Sequence, residues 1–222
     1  MLLKEPIDKR DIAILCSLGL LSTLIVWLRV NASILPYEDA AILLRYVKHL
    51  AQGQGFVWNV GEPPLDGATD FLLVALAAGL VKAGLPLIEA MRGLGAAAHL
   101  LTVLLVYLML RRYHGASRFL AGFSALFLAL GPAAGYIEAC FGTPLFALLV
   151  AASYALLHEC MLRPRSRARA WAFALSALLT GLVRPEGVVL ALLMLGSLVY
   201  VQEWRAARHA VIIFGAVFLI VG

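Results

Sequence analysis

Long apolar segments separated by short polar clusters set the hydrophobic pattern of this chain of 222 residues. A helix of about 20 apolar residues matches the hydrocarbon thickness of a bilayer, whereas shorter apolar helices pack inside a bundle or lie at its surface. The pattern therefore predicts an all-α fold, a polytopic bundle of membrane helices. The candidate segments are 12–30, 71–87, 92–110, 118–134, 143–161, 171–183, 187–201 and 210–222.

The composition agrees with a membrane protein and argues against several other classes. Hydrophobic residues make up 63% of the chain and charged residues only 14%, which is more apolar surface than a soluble core can bury. The net charge of +5 comes from residues in short loops without a groove-reading motif, so no nucleic acid partner is expected. The three cysteines, Cys16, Cys140 and Cys160, imply no disulfide framework.

The basic residues predict the orientation of the bundle through the positive-inside rule. If segment 71–87 crosses the membrane, the arginines within 111–118 and 163–169 face outward, against that rule. If 71–87 lies at the outer interface instead, the cytoplasmic side holds 12 of the 18 basic residues and 5 of the 13 acidic residues. We therefore expect about seven transmembrane helices and a cytoplasmic amino terminus.

One long outward loop, 31–91, is the main feature of this predicted topology. Residues 38–52 place polar side chains on one arc and leucines opposite, which is typical of an amphipathic surface helix. Segment 71–87 is predicted to be an interfacial helix. We treat 1–222 as a single transmembrane module and expect it to be the N-terminal part of a longer protein, because the last apolar segment is short of a full span.

Two adjacent acids, Glu38 and Asp39, open the amphipathic helix directly after Pro36 and Tyr37. The start of a helix favours negative charge, so capping alone explains one of them. Two like charges at close range favour a shared proton or a bound cation. We take Glu38 and Asp39 as candidate catalytic residues and as the ligands of a divalent cation, Mg²⁺ or Mn²⁺, if the reaction uses one.

A second outward motif, RPEG at 184–187, interrupts an apolar stretch whose two arms are each shorter than a full span. The turn is therefore predicted to lie below the outer surface, where a charged pair is costly unless it is paired or functional. Arg184 and Glu186 can form a structural ion pair, or Arg184 can grip a lipid phosphate with its planar fork. We favour the functional interpretation.

The outer loop and later turns carry short motifs in a definite order. They are the acidic pair Glu38 and Asp39, LLRYVKHLAQGQGFVWN at 43–59, GE at 61–62, DGAT at 66–69, TPLF at 143–146 and RPEG at 184–187. Together they resemble the GT-C superfamily of membrane glycosyltransferases, and within it the bacterial arabinofuranosyltransferase-like group that uses polyprenyl-phosphate sugars. The resemblance covers about residues 12–200.

The sequence departs from that family pattern at three positions. The first acid of the pair is Glu38 where the family usually has Asp, which lengthens the reach of the side chain by one methylene. Gly142 stands where a Glu usually precedes TPLF, with Glu138 four residues earlier as a substitute. Ala68 replaces an aromatic residue.

The resemblance implies a sugar transfer at the outer face of the membrane. A polyprenyl-phosphate sugar donor would enter from the bilayer, and a hydroxyl of a glycan, lipid or protein acceptor would attack the anomeric carbon in one inverting displacement. Glu38 or Asp39 would accept the hydroxyl proton. The resemblance favours Glu38, the first acid of the pair, while the helix geometry leaves both open. Arg184, with Arg45 or Lys48, would offset the charge on the departing lipid phosphate. The other candidate substrate-binding residues are Glu62, Asp66, Thr69, Glu138 and Glu186.

The implied location is the inner (cell) membrane of a bacterium, with a periplasmic or extracellular active face and a role in building the cell envelope. The expected partners are the lipid donor, its acceptor and membrane lipid. The sequence has no G-x-G-x-x-G or P-loop motif, which fits a lipid-carried rather than a nucleotide-carried sugar. The alternative is a non-catalytic membrane protein that binds or transports lipid-linked sugar; inverted repeats would favour it, and none is evident.

Overall fold

The chain forms helices joined by loops in the part that the structure, a computed structural model, describes: residues 6–64, 67–163, 165–201 and 204–221. The prediction of an all-α fold is confirmed. In chain order the helices are α1 (Lys9–Arg29), α2 (Glu38–Ala51), α3 (Phe71–Lys82), α4 (Leu87–Tyr113), α5 (Arg118–Ala129), α6 (Ala133–Glu138), α7 (Thr143–Leu162), α8 (Arg167–Val183), α9 (Glu186–Val201) and α10 (Trp204–Val221).

Four segments of the described chain are long and apolar enough to cross a membrane. They are α1, α4, α7 and the stretch Arg118–Glu138, which contains α5 and α6. The apolar helices α3 and α9 are shorter, with 12 and 16 residues. The structure thus supports a helical membrane protein, while the count of seven crossings and the orientation in the membrane stay predictions.

The helix α3 ends at Lys82, short of the end of the predicted segment 71–87. Gly84 adopts a positive φ of 104°, which is open to glycine and strained for other residues. The backbone N–H groups of Gly84 and Leu85 donate to carbonyls in the last turn of α3, which forms a Schellman motif. Pro86 then caps α4, so the chain leaves one helix and enters the next within a few residues.

The predicted segment 118–134 is divided into two helices. The first, α5, ends at Ala129, and α6 begins at Ala133. Pro132 has no backbone N–H to donate, and its ring clashes with the preceding helical turn, so α5 cannot continue through it. The apolar pattern alone hides this break because the residues on both sides of Pro132 are apolar.

Charged side chains tie the helices together at one end of the bundle, the arginine-rich end. Asp11 in the first turn of α1 is fully buried and accepts hydrogen bonds from Tyr107 Oη at 2.7 Å and Arg111 Nε at 3.0 Å, both on α4. Glu159 of α7 accepts a hydrogen bond from Tyr113 Oη at 2.9 Å. Removing one partner of a buried charge pair is strongly destabilising, so these contacts hold α1, α4 and α7 in register.

The opposite end, the loop end, holds α2, the loop that follows it, and the beginnings of α3, α4 and α7. Arg92, in the second turn of α4, donates to the backbone carbonyl of Glu138. Asp70, directly before α3, accepts a hydrogen bond from the backbone N–H of Gly142. Because the beginnings of α3 and α4 both contact the segment 138–142, α3 does not carry the chain to the arginine-rich end.

The amphipathic helix α2 packs its apolar face on α3. The buried residues of α2 are Ala40, Leu43, Tyr46 and Val47, and they share one core with Leu73, Val74 and Ala77 of α3. Tyr46 also stacks on Phe56 of the following loop, with ring centroids 4.5 Å apart. The loop end is therefore an ordered protein layer in which the apolar face of α2 is covered by protein.

Candidate functional site at the loop end

Asp70 is buried at the centre of the loop end, with 5% of its surface exposed. Its Oδ2 accepts a hydrogen bond from the backbone N–H of Gly142 at 3.1 Å, and its Oδ1 accepts one from the Thr69 hydroxyl at 3.4 Å. A Cβ placed on Gly142 would lie 2.9 Å from Asp70 Cγ, closer than real side chains approach. The Asp70 carboxylate thus fills the space that a side chain at position 142 would need.

Arg184 supplies the positive charge of this site. It is the C-cap of α8, and its Nε lies 3.9 Å from Asp70 Oδ1. Its Nη2 donates a hydrogen bond at 3.1 Å to the Thr143 hydroxyl at the start of α7. The guanidinium carbon lies 5.9 Å from the centre of the Phe146 ring, which is a cation–π contact. The side chain stays 34% exposed, so a ligand can reach it.

The turn between α8 and α9 sets the position of Arg184. A residue before proline is pushed out of the helical region, and Arg184 accordingly has φ −147° and ψ 141°, which ends α8 before Pro185. Gly187 packs directly on the backbone of α8, where a Cβ would lie 2.6 Å from the carbonyl carbon of Thr180. The two helices, α8 and α9, therefore approach closely below the turn, and this close packing fixes the backbone position of Arg184.

Three cavities meet around Thr69, which lines all of them. One, of about 250 Å³, is lined by Asp39, Ile42, Leu43, Gly67, Thr69, Asp70, Phe141 and Arg184. A second, of about 390 Å³, is lined by Thr69, Arg184, Pro185 and Glu186. A third, of about 480 Å³, has the mostly apolar lining Phe56, Pro64, Ala68, Thr69, Phe71, Gly181, Leu182 and Pro185. A charged recess thus lies directly beside an apolar one.

Burial raises the pKa of the Asp70 carboxyl above its usual value, although the Arg184 guanidinium and the backbone N–H of Gly142 oppose that rise. Glu186 acts in the same direction as burial. A folded-state pKa above the unfolded value means that the folded protein holds this proton more tightly. Asp70 therefore favours folding at acidic pH, and that contribution is lost as the pH rises through its raised pKa.

The two adjacent acids at the start of α2 differ in their relation to this site. Asp39 lines the cavity of about 250 Å³ together with Arg184. Glu38 is exposed and is absent from the lining of the three cavities. Both acids lie in the first turn of α2, whose N-cap residue, Tyr37, makes no side-chain cap. The structure therefore brings Asp39 to the site and leaves Glu38 beside it.

Arg45 and Glu62, two predicted substrate-binding residues, instead order the loop after α2. Arg45 Nε donates to the backbone carbonyl of Trp58 at 2.8 Å, and its Nη2 donates to Asn59 Oδ1 at 2.7 Å. The guanidinium also lies 4.2 Å from the centre of the Trp58 ring. Glu62 accepts a hydrogen bond from Asn59 Nδ2 at 2.8 Å. Lys48 is exposed and lines none of the three cavities.

The remaining predicted residues divide between the site and its surroundings. Thr69 and Glu186 line cavities together with Arg184. Glu138 accepts a hydrogen bond from the backbone N–H of Asn31 at 2.7 Å, so its carboxylate ties α6 to the segment after α1. Asp66 lies outside the described residues.

A divalent cation has little support in the geometry of the described residues. Within them no group of three or more His, Cys, Asp or Glu side chains is arranged to hold a metal ion. Of the two proposed ligands only Asp39 lines the cavity, and Arg184 lines the same cavity. Metal dependence stays a prediction.

Sequence reasoning missed three residues of this site: Asp70, Gly142 and Thr143. Asp70 carried a signal, since it is an acid placed directly before an apolar helix. Gly142 was noted only as a departure from the family pattern, and Thr143 only as the first residue of the motif TPLF. Their roles depend on contacts that no local pattern shows: Gly142 contacts Asp70, 72 positions away in sequence, and Thr143 contacts Arg184, 41 positions away.

The site thus combines the buried acid Asp70, the exposed acids Asp39 and Glu186, and the partly exposed guanidinium of Arg184 beside an apolar recess. Comparison with known protein families, curated proteins and solved structures gave no match for this chain.

Proposed function

We propose that this chain is the membrane module of a glycosyltransferase that moves a sugar from a polyprenyl-phosphate donor to an acceptor hydroxyl at the loop end. The observation that carries the proposal is the meeting of cavities in which Arg184 and Asp39 face one space beside an apolar recess. A lipid phosphate needs a cation next to an apolar path, and an attacking hydroxyl needs a nearby carboxylate. These groups lie together at the loop end.

Arg184 binds the donor phosphate in this proposal. Its Nε and Nη2 have partners in Asp70 and Thr143, whereas its Nη1 has none among the described residues. A planar guanidinium can give two parallel N–H groups to a phosphate, which a lysine cannot. The hydrogen bond to Thr143 holds the side chain in place and leaves part of the fork open toward the cavity.

The isoprenoid chain occupies the apolar cavity of about 480 Å³. Its walls include Phe56, Phe71 and Leu182, and it shares Thr69 and Pro185 with the charged recesses. Burying apolar surface contributes about 25 cal/mol per Å², so even a few isoprene units add substantially to binding. The shared wall allows one ligand to place its phosphate at Arg184 and its chain among the aromatic residues.

Asp39 acts as the general base. As the acceptor oxygen bonds to the anomeric carbon, its hydroxyl proton passes to the Asp39 carboxylate. The bond between the anomeric carbon and the phosphate oxygen breaks at the same time, and the lipid phosphate leaves with that electron pair. Arg184 stabilises the charge that develops on the leaving phosphate. A single displacement inverts the anomeric configuration.

Sugar transfer by the purified protein in liposomes tests this proposal. A panel of radiolabelled polyprenyl-phosphate sugars is offered with a mixture of glycan and lipid acceptors, and label in the acceptor fraction is counted. Asp39→Asn should reduce transfer about 10²- to 10⁴-fold, the usual contribution of a positioned base. Glu38→Gln is the matched control, because it removes the neighbouring acid that lies outside the cavity, and it should keep most of the activity.

The pattern of loss separates the candidate functions. Equal loss in Asp39→Asn and Glu38→Gln would contradict the assignment of the base. Tight binding of a donor without transfer to any acceptor would favour the alternative, a protein that binds or transports lipid-linked sugar. If the protein shows neither donor binding nor sugar transfer, both functions are contradicted.

A further inference from the structure

Asp70 lies where it can compete with an anionic ligand for Arg184. Its Oδ2 is fixed by the backbone N–H of Gly142, while its Oδ1 faces Arg184 Nε across 3.9 Å. That distance exceeds a direct hydrogen bond, so the ion pair is loose and a phosphate oxygen can take the position beside Nε. Asp70 itself cannot withdraw, because it is buried against Gly142.

We propose that Asp70 is an internal counter-ion that gives up Arg184 to a phosphate and takes a proton from solvent as it does so. This inference rests on the proposed function, since it assumes that Arg184 binds the donor phosphate. Anion binding at the loop end is then coupled to the uptake of one proton. Asp70 becomes a neutral carboxylic acid in the complex, and no other bond is made or broken.

The charges around Asp70 explain why the proton is needed. The groups that face it or share its cavities are the cation Arg184, the acids Glu186 and Asp39, and the neutral donors Thr69 and the Gly142 N–H. When a phosphate neutralises Arg184, Asp70 loses its cation and gains an anion as a neighbour. Both changes act in the same direction as burial, which already raises the pKa of Asp70.

The coupling predicts the sign of a pH effect. The pKa of Asp70 is lower in the free protein than in the complex. At a pH between these two pKa values, binding therefore takes up a proton. The affinity for the anion should therefore fall as the pH rises through this window, by at most about tenfold per pH unit for one linked proton. Above the window the affinity should level off at its weakest value.

The test uses a farnesyl methyl phosphodiester, which keeps one negative charge across the titration range of a carboxyl group. Its affinity for the purified protein is measured by titration calorimetry as a function of pH. The parent protein should lose affinity as the pH rises, and Asp70→Asn should bind tightly and without pH dependence. Glu62→Gln is the control, since it removes an acid of the same loop that is bonded to Asn59, and it should keep the parental slope.

Calorimetry of the parent protein in buffers of different ionisation enthalpy gives a second readout that needs no variant. It should show close to one proton taken up for each probe molecule bound inside the window. No proton uptake, or a slope that Asp70→Asn leaves unchanged, would overturn the inference. If the parent binds the probe without pH dependence and Arg184→Met loses binding, the inference fails while the phosphate site stands. If the parent does not bind the probe at any pH, both the inference and the phosphate site at Arg184 are contradicted.

Discussion

The fit between Asp70 and Gly142 predicts that adding one methyl group at position 142 disturbs the site. A Cβ there would lie 2.9 Å from Asp70 Cγ, so Gly142→Ala forces the carboxylate to move. Overpacking a well-filled site costs roughly 1–3 kcal/mol. Loss of the hydrogen bond from the Gly142 N–H to a buried carboxylate costs about 1.5–3 kcal/mol. The two terms overlap, and we expect a loss of about 2–4 kcal/mol in the free energy of unfolding.

Thermal or denaturant unfolding in detergent, together with binding of the phosphodiester probe, measures this effect. Gly135→Ala is the matched control at the loop end, because a Cβ there meets nothing within 4 Å and α6 favours alanine over glycine. A second variant tests the cause. A Cβ at 142 lies 3.5 Å from Asp70 Cβ, an ordinary contact, so Asp70→Ala should relieve the clash in the double variant.

The relative stabilities of these variants test whether positions 70 and 142 are in close contact. Gly135→Ala should equal or exceed the parent, and Gly142→Ala combined with Asp70→Ala should be more stable than the sum of the single effects predicts. Gly142→Ala with the stability of Gly135→Ala, or strict additivity in the double variant, would refute the close contact between positions 70 and 142.

Three further predictions concern the bundle and its loop. Arg45→Lys loses the planar fork that holds the loop after α2, so limited proteolysis should cut that loop faster than in the exposed control Lys48→Arg; equal cleavage would contradict this role. Asp11→Asn removes the charge of a fully buried carboxylate that pairs with Arg111 at 3.0 Å, and it should cost about 3–5 kcal/mol in the free energy of unfolding; a loss below about 1 kcal/mol, the value of a surface pair, would contradict this. An impermeant thiol reagent added outside cells should label Gln54→Cys and spare Ser117→Cys; the reverse pattern would overturn the predicted topology.

The helical content of the chain could be predicted because the hydrophobic pattern carries it directly. Apolar segments of near-membrane length have few alternatives to helices, since every backbone polar group must be paired inside the segment. The limits of the helices were predicted less well. Pro132 divides one predicted segment, and Gly84 ends α3 early. Both signals were visible in the sequence, but an average over apolar residues does not weigh single prolines or glycines.

The site could be predicted only in part, because its residues come from distant parts of the chain. Arg184 stood out in the sequence as a charge in an apolar stretch, and Asp39 as one of two acids at a helix start. Arg45 was also predicted to offset the charge of the departing phosphate, yet in the structure it holds the loop. The choice between such roles depends on which side chains the fold brings together. Asp70 and Gly142 show the same limit, since only the contact between them shows that both belong to the site.

The most direct test of the central claim is a map of where the lipid donor binds. An isoprenyl phosphate that carries a photoreactive group near the phosphate is crosslinked to the purified protein in liposomes, and the modified peptides are identified by mass spectrometry. We expect crosslinks in the peptides that contain Thr69 and Pro185, competed by unlabelled isoprenyl phosphate and strongly reduced in Arg184→Met. Crosslinks confined to other parts of the bundle, or crosslinks at Thr69 that persist unchanged in Arg184→Met, would contradict a phosphate site at the loop end.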